Sequence, residues 1–262
     1  MTTASDAILV MSGLIDYCER CAPGFAKALR PALPVDVDAV IGLTGVQVPA
    51  EYRAFLLAFG RTDPAALAPF MEAFEFGCHA IEDFYQDPPV PLADDVAYLW
   101  SVDGGGEMFL GVAGEWANEH PVLSFSWGMD RATGKFVAAE RRPFVVSASL
   151  PAFLYRQAHS QLQRLNLAHR VRLRENAAPG ERSAAAAAER GRRFVAVMEK
   201  LGFRPLPFLD ADVPIYERGD AAVSLFLSEV AEDSMNVAAS NAREASRIAE
   251  ILCDNLGARR FG

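Results

Sequence analysis

From Thr62 to Asp130 the chain has no lysine and no arginine, yet thirteen carboxylates lie there, a local charge of −13. The next stretch, Arg131 to Arg204, reverses the sign: fifteen basic residues stand against Glu140, Glu175, Glu181, Glu189 and Glu199, a local charge of +10. The formal net charge of −9 over 262 residues conceals this polarity. Solvated surfaces ordinarily mix signs, because a patch of like charge repels itself. Either the two segments face each other and cancel, or the acidic one forms a surface for a basic partner.

Other scarcities narrow the choice. Four cysteines, Cys18, Cys21, Cys78 and Cys253, are too few for a disulfide framework in a chain of this length. Cys18 and Cys21 have zinc-like spacing, but a structural zinc takes four ligands, and the nearest other candidates, Cys78 and His79, are adjacent. Buried helix cysteines are expected instead, with no metal and no cofactor. His79, His120, His159 and His169 are scattered without partners in sequence, and His159 and His169 are expected on solvated helix faces. Gly104, Gly105 and Gly106 are followed by no lysine and flanked by Asp103 and Glu107, which repel phosphate, so they read as a hairpin turn. Without a nucleophile elbow, metalloprotease helix or dinucleotide fingerprint, the expectation is that the protein is not an enzyme. No apolar stretch approaches the ~20 residues that span a bilayer, and Ile8-Leu9-Val10-Met11 has no basic residue before it. No signal peptide is read there, and a cytoplasmic location is expected.

What is present is a substantial apolar fraction, 51% of the residues, enough for a proper core and for two domains. The most sharply punctuated stretch is Val46 to Gly60. Pro49 suits a first helical position, Glu51 complements the positive helix start, and Gly60 suits a left-handed cap. Tyr52, Phe55, Leu56 and Phe59 fall at i, i+3, i+4 and i+7, a stripe that must be buried. Upstream, residues 7 to 32 read as two helices interrupted at Pro23-Gly24, and Val37, Val40 and Ile41 as another short helix. Downstream, a helix is expected from about Pro64 to Phe76, and an extended loop from Asp87 to Pro91. Alternating strands follow around Val96 to Trp100, Met108 to Val112, Val122 to Trp127 and Phe144 to Val146, then a helix from Ser149. Arg170 to Arg174 reads as a helix tail, and a domain boundary falls near Pro179-Gly180. Beyond it come a helix containing Phe194, Val197, Met198 and Leu201, a hairpin turning at Gly219-Asp220, a strand at Met235 to Ala239 and a final helix ended by Gly257.

Three stretches, in order, resemble the SUKH superfamily, which includes a fungal cell-wall-synthesis regulator and many bacterial immunity proteins. They are the Pro49-x-Glu51-Tyr52-Arg53-x-Phe55-Leu56 helix ending at Gly60, the Gly-rich hairpin from Trp100 to Leu110, and Ser147-Ala148-Ser149-Leu150-Pro151-Ala152-Phe153-Leu154-Tyr155. The resemblance spans roughly residues 30 to 160. It implies an α+β fold of SUKH-like helices packed on an antiparallel sheet, here followed by a small second α/β domain, with boundaries at 1–175 and 183–262. Within the second domain, Met198 to Phe203 and Tyr216 to Ala222 are similar to one module of the glyoxalase and bleomycin-resistance fold. Metal-dependent members of that fold need His and Glu ligands, and this half has no histidine beyond His169.

The resemblance also implies a non-enzymatic protein-binding role, in which an immunity protein neutralises a cognate toxin. Many such toxins are nucleases, whose active sites are basic because their substrate is phosphate, so an acidic surface can occupy them and associate fast. The candidate contacts are Asp83, Asp87, Asp94, Asp95, Asp103 and Glu107. An intracellular regulatory or scaffold module without a toxin is the alternative. No membrane partner is expected. Nucleic acid is disfavoured, since the basic run from Arg170 to Arg193 lacks interleaved aromatics and the rest of the chain is acidic.

Overall fold

A computed structural model describes residues 3–71, 73–88, 94–102, 106–125, 127–129, 136–138, 143–163, 166–175, 183–209, 213–227 and 233–261. The chain forms two compact units that divide between Leu162 and Gln163. Among the described residues, helices combine with a five-stranded and a six-stranded antiparallel sheet, one in each unit. No helix among the described residues is long and apolar enough to cross a membrane.

The first unit begins with helices α1 (Ala4–Cys21), α2 (Phe25–Ala28), α3 (Pro34–Thr44), α4 (Ala50–Phe59) and α5 (Pro64–Met71). A capping box starts α1: the Thr3 hydroxyl accepts from the Asp6 amide while the Asp6 carboxylate accepts from the Thr3 amide. α4 is the helix that the proline and the aromatic stripe announce, and Tyr52, Phe55, Leu56 and Phe59 are all fully buried. Its ends differ from expectation in detail. Pro49 is the N-cap, one residue before the first helical position, and Gly60 keeps a right-handed φ of −64°. Glycine is needed at position 60 for space: a β-carbon there would stand 2.8 Å from Cys78 Sγ.

The first sheet is built from β1 (Ala73–Glu75), β2 (Val96–Val102), β3 (Gly106–Gly111), β4 (Val122–Phe125) and a later strand, and helix α6 (Cys78–Gln86) lies between β1 and β2 in sequence. β5 (Trp127–Met129) and β6 (Phe136–Ala138) pair as a separate ribbon, and β7 (Phe144–Ser147) completes the order β1-β2-β3-β4-β7. Every pairing is antiparallel, and β2 pairs with β3 up to Val102 opposite Gly106, while residues 103–105, where the glycine turn is expected, lie outside the described residues. The helix expected to reach Phe76 stops at Met71 instead. Ala73 and Glu75 pair with Val102 and Ser101, so the sheet edge overrides local helical spacing. α7 (Leu150–Ala158) starts where expected, with Ser149 Oγ accepting from the Ala152 amide at 3.2 Å, and continues as a π-helical turn over His159–Gln163. His159, expected on a solvated face, is 8% exposed.

Aromatic rings join these layers. The Phe55 centroid is 5.2 Å from Phe76 and 5.8 Å from Trp100, and Trp100 is 5.5 Å from Phe153 of α7. Phe84 of α6 stacks on Tyr98 of β2 at 3.8 Å and meets Phe109 of β3 edge-on at 6.0 Å. Burying each such side chain contributes about 1.5–3 kcal/mol. α4, α6 and α7 are thereby fixed to one sheet.

The second unit contains β8 (His169–Glu175), α8 (Ala184–Lys200), β9 (Arg204–Pro205), β10 (Ile215–Arg218), β11 (Ala221–Phe226), β12 (Ser234–Ala239), α9 (Ala242–Leu256) and β13 (Ala258–Phe261). Its sheet runs β13-β8-β12-β11-β10-β9, with neighbours antiparallel. The segment from Arg170 to Arg174 corrects the sequence reading: it is a strand lying between β12 and β13, not a helix tail. Arginine alternates there with Val171 and Leu173, a period of two that suits a half-buried strand. Residues 169–175, expected at the end of the first domain, therefore belong to the second sheet, while Pro179-Gly180 lies outside the described residues. Phe194 and Met198 of α8 and Ile248, Ala249 and Leu252 of α9 pack on Leu173, Val223, Leu225, Met235 and Val237. Gly257, at φ +67°, ends α9 as expected, and the chain then adds β13, an edge strand that the periodicity did not announce.

Candidate functional site

α6 carries the acidic surface. Cys78, Ile81 and Phe84 recur at helical spacing and are buried, which turns His79, Glu82 and Asp83 outward. The helix start is held by a close approach of two glycines. The Cys78 amide donates to the Gly60 carbonyl at 2.8 Å, and Gly77, at φ +103°, has no room for a β-carbon, which would stand 2.7 Å from that same oxygen. At the other end, Glu82, Asp83 and Asp87 crowd the last turn, which has no basic residue. Carboxylates near a helix C-terminus oppose the helix dipole, each at a cost of about 0.3–1 kcal/mol. Asp83 is bridged only by His79, at 3.2 Å, while Glu82 and Asp87 make no ion pair among the described residues.

Asp94 and Asp95 stand at the entry to β2. The Asp95 carbonyl accepts from the amides of Val112 at 2.8 Å and Ala113 at 3.2 Å, anchoring the turn Gly114–Trp116 beside it. That turn is seated by Gly111, where a β-carbon would be 2.6 Å from Trp116 Cβ. Gly114 in turn abuts Asp95, a β-carbon there standing 3.7 Å from Asp95 Oδ2. Exposed Glu115 and Glu119 lie on the β3–β4 connection, which the Asp95 carbonyl holds beside the aspartate pair. Neither was singled out in the sequence; the signal was their place in the lysine-free and arginine-free block.

The structure thus gathers some expected contacts and separates others. Asp94 and Asp95 sit at one end of the β2–β3 hairpin, and Asp83 and Asp87 on the helix that precedes it. Glu107 is at the opposite end, across from Ser101, roughly 20 Å from Asp95 at ~3.3 Å per strand residue. There it is held on the sheet, with Ser101 Oγ donating to Glu107 Oε2 at 2.9 Å and the Tyr98 hydroxyl 3.0 Å from the same serine oxygen. Asp103 lies outside the described residues.

Beside α6 a cleft of about 620 Å³ opens toward α3, lined by Asp36, Ala39, Val40, Leu43, Gly60, Arg61, Cys78, His79 and Glu82. Val35, Ala39 and Leu43 of α3 recur every fourth residue and are exposed, so its outer face is apolar along the cleft. Burial, aided by the Asp36 carboxylate, pushes the Cys78 thiol above its ordinary range, which keeps it protonated and poorly nucleophilic. No group of three or more His, Cys, Asp or Glu among the described residues is arranged to hold a metal ion. The geometry offers an anchoring pocket whose rim carries Asp36 and Glu82 beside Arg61 and His79.

No protein-family model, curated protein or solved structure matches the chain.

Proposed function

We propose that the first unit is a protein-binding module that grips a basic protein surface through the outer face of α6 and the adjoining Asp94, Asp95 and Glu115 turn. The observation that carries this reading is the cluster of Glu82, Asp83 and Asp87 at a helix end where they oppose the dipole, with no lysine or arginine among the described residues bridging them. Such a placement lowers stability, so its benefit lies outside the folded chain. A basic partner would relieve the repulsion, and the acidic field would speed its arrival. The cleft toward α3 adds an apolar floor at Ala39, Val40 and Leu43 for an anchoring side chain.

Taken with the SUKH-like order of helix, hairpin and closing helix, the proposed role is that of an immunity protein that neutralises a basic toxin, a nuclease being the chemistry that best fits an acidic inhibitor. The protein performs no reaction itself in this reading. Co-purification with the product of the adjacent gene tests it. Retention by the wild-type chain that is lost in Asp83→Lys/Asp87→Lys supports the assignment, and equal retention by both removes α6 as the contact surface.

A further inference from the structure

We propose that the groove between α3 and α6 receives an amphipathic basic helix of the partner protein, an inference that rests on the reading of a basic protein partner and adds the form of the segment that docks. α3 and α6 pack side by side, and their walls differ in chemistry. α3 lends Ala39, Val40 and Leu43 to the cleft. Its apolar surface continues past the rim, where Val35 is 68% exposed and Leu43 46%. Val35, Ala39 and Leu43 follow one another at four-residue intervals, so this stripe runs about 12 Å, or two helical turns, along the groove. A contiguous apolar row left in water beside a cleft is the mark of a contact surface. The opposite wall is α6, which presents His79 and Glu82 to the cleft and carries exposed Asp83 and Asp87 further along.

Charge decides which kind of segment fits. Asp36, Arg61 and Glu82 all act on the Cys78 thiol at the base of the cleft, whose ionisation is opposed by burial and by the two carboxylates and favoured by the guanidinium. Arg61 is thereby balanced inside the cleft. Set against it, Asp36, Glu82, Asp83 and Asp87 leave a formal charge of −3 along the groove. A helix that lays large apolar side chains at i, i+4 and i+7 against α3 turns its flank toward α6, and lysine or arginine on that flank meets the carboxylates. A small ligand lodged in the cleft would leave Val35 in water, whereas two turns of helix cover the whole stripe. The same carboxylates repel nucleic acid and anionic lipid.

Fluorescence anisotropy of the full chain tests this with a labelled peptide of about 18 residues, leucine at i, i+3, i+4 and i+7 and lysine elsewhere. A peptide of the same composition without the stripe and poly-lysine serve as comparators. The striped peptide should bind about ten-fold more tightly than either, and gain helical circular dichroism on binding. Val35→Ser/Leu43→Ser, neutral changes at exposed positions, should abolish that advantage. Ile8→Ser/Leu9→Ser on α1, 54% and 70% exposed, should leave it intact. Equal affinity for the striped and unstriped peptides, or indifference to Val35→Ser/Leu43→Ser, would overturn the proposal. So would a dimer of the chain that Val35→Ser/Leu43→Ser dissolves, which would assign the groove to a second copy. The product of the adjacent gene separates this inference from the broader one. Retention by Val35→Ser/Leu43→Ser alongside loss in Asp83→Lys/Asp87→Lys would overturn the groove and leave the acidic surface standing, and loss in both variants would support the two together.

Discussion

The Tyr52 hydroxyl donates a 2.7 Å hydrogen bond to the main-chain carbonyl oxygen of Tyr98, tying α4 to β2 in a fully buried position. Burial raises the ionisation of this phenol well above its ordinary range, so the donor persists at any working pH. Tyr52→Phe keeps the ring and deletes the bond, leaving a buried carbonyl short of a partner. Urea denaturation should show a loss of about 1–2 kcal/mol, seen as a lower midpoint at constant slope. An unchanged midpoint would mean that ring packing alone joins helix to sheet.

Arg190 of α8 is the only cation in a buried group with two carboxylates among the described residues. Its Nε is 2.5 Å from Asp233 Oδ2 and its Nη1 is 2.8 Å from Glu175 Oε1, with the two acid side chains 2% and 5% exposed. Glu175 Oε2 and Arg190 Nη2 find no hydrogen-bond partner among the described residues. Arg190→Ala would remove the buried guanidinium that Glu175 and Asp233 share, and a loss of about 3–5 kcal/mol from the second unit is expected. Replacing all three residues together by apolar side chains of similar size should cost far less, because the desolvation penalty disappears with the charges. Equal losses in the single and triple variants, measured by chemical denaturation, would contradict this.

Glu244, in the first turn of α9, predicts how stability responds to acid. Hydrogen bonds from Arg247 and then Arg218 lower its pKa from 4.5 to about 2. A depressed carboxylate stabilises the fold above its unfolded pKa and loses that contribution as the pH falls through the folded one. Wild type and Glu244→Gln should therefore differ most above about pH 4.5 and converge near pH 2. Thermal melts across that window check the sign: a difference that grows on acidification would contradict it.

The parts of the fold that were legible in sequence are those where local chemistry and tertiary packing agree. Pro49, the Tyr52-Phe55-Leu56-Phe59 stripe and Gly60 delimit a helix because each signal is local, and Gly219-Asp220 marks its hairpin for the same reason. Long-range pairing hid the rest. Nothing near Ala73 announces that it will meet Val102, and nothing near Arg172 announces that Asn236 and Phe261 will flank it. The acidic block was visible as composition, but only the fold separates Glu107, held by Ser101 on the sheet, from Asp94 and Asp95 at the other end of the hairpin. Glu115 became relevant only when Gly111 and Trp116 placed its turn beside Asp95.

Association kinetics test the acidic surface most directly. With the product of the adjacent gene as partner, the association rate should fall steeply as salt rises from about 10 mM to 150 mM, as electrostatic steering requires. Asp94→Lys/Asp95→Lys should slow association at low salt by about ten-fold or more while changing the dissociation rate less. An association rate indifferent both to salt and to that charge reversal would contradict recognition through this surface.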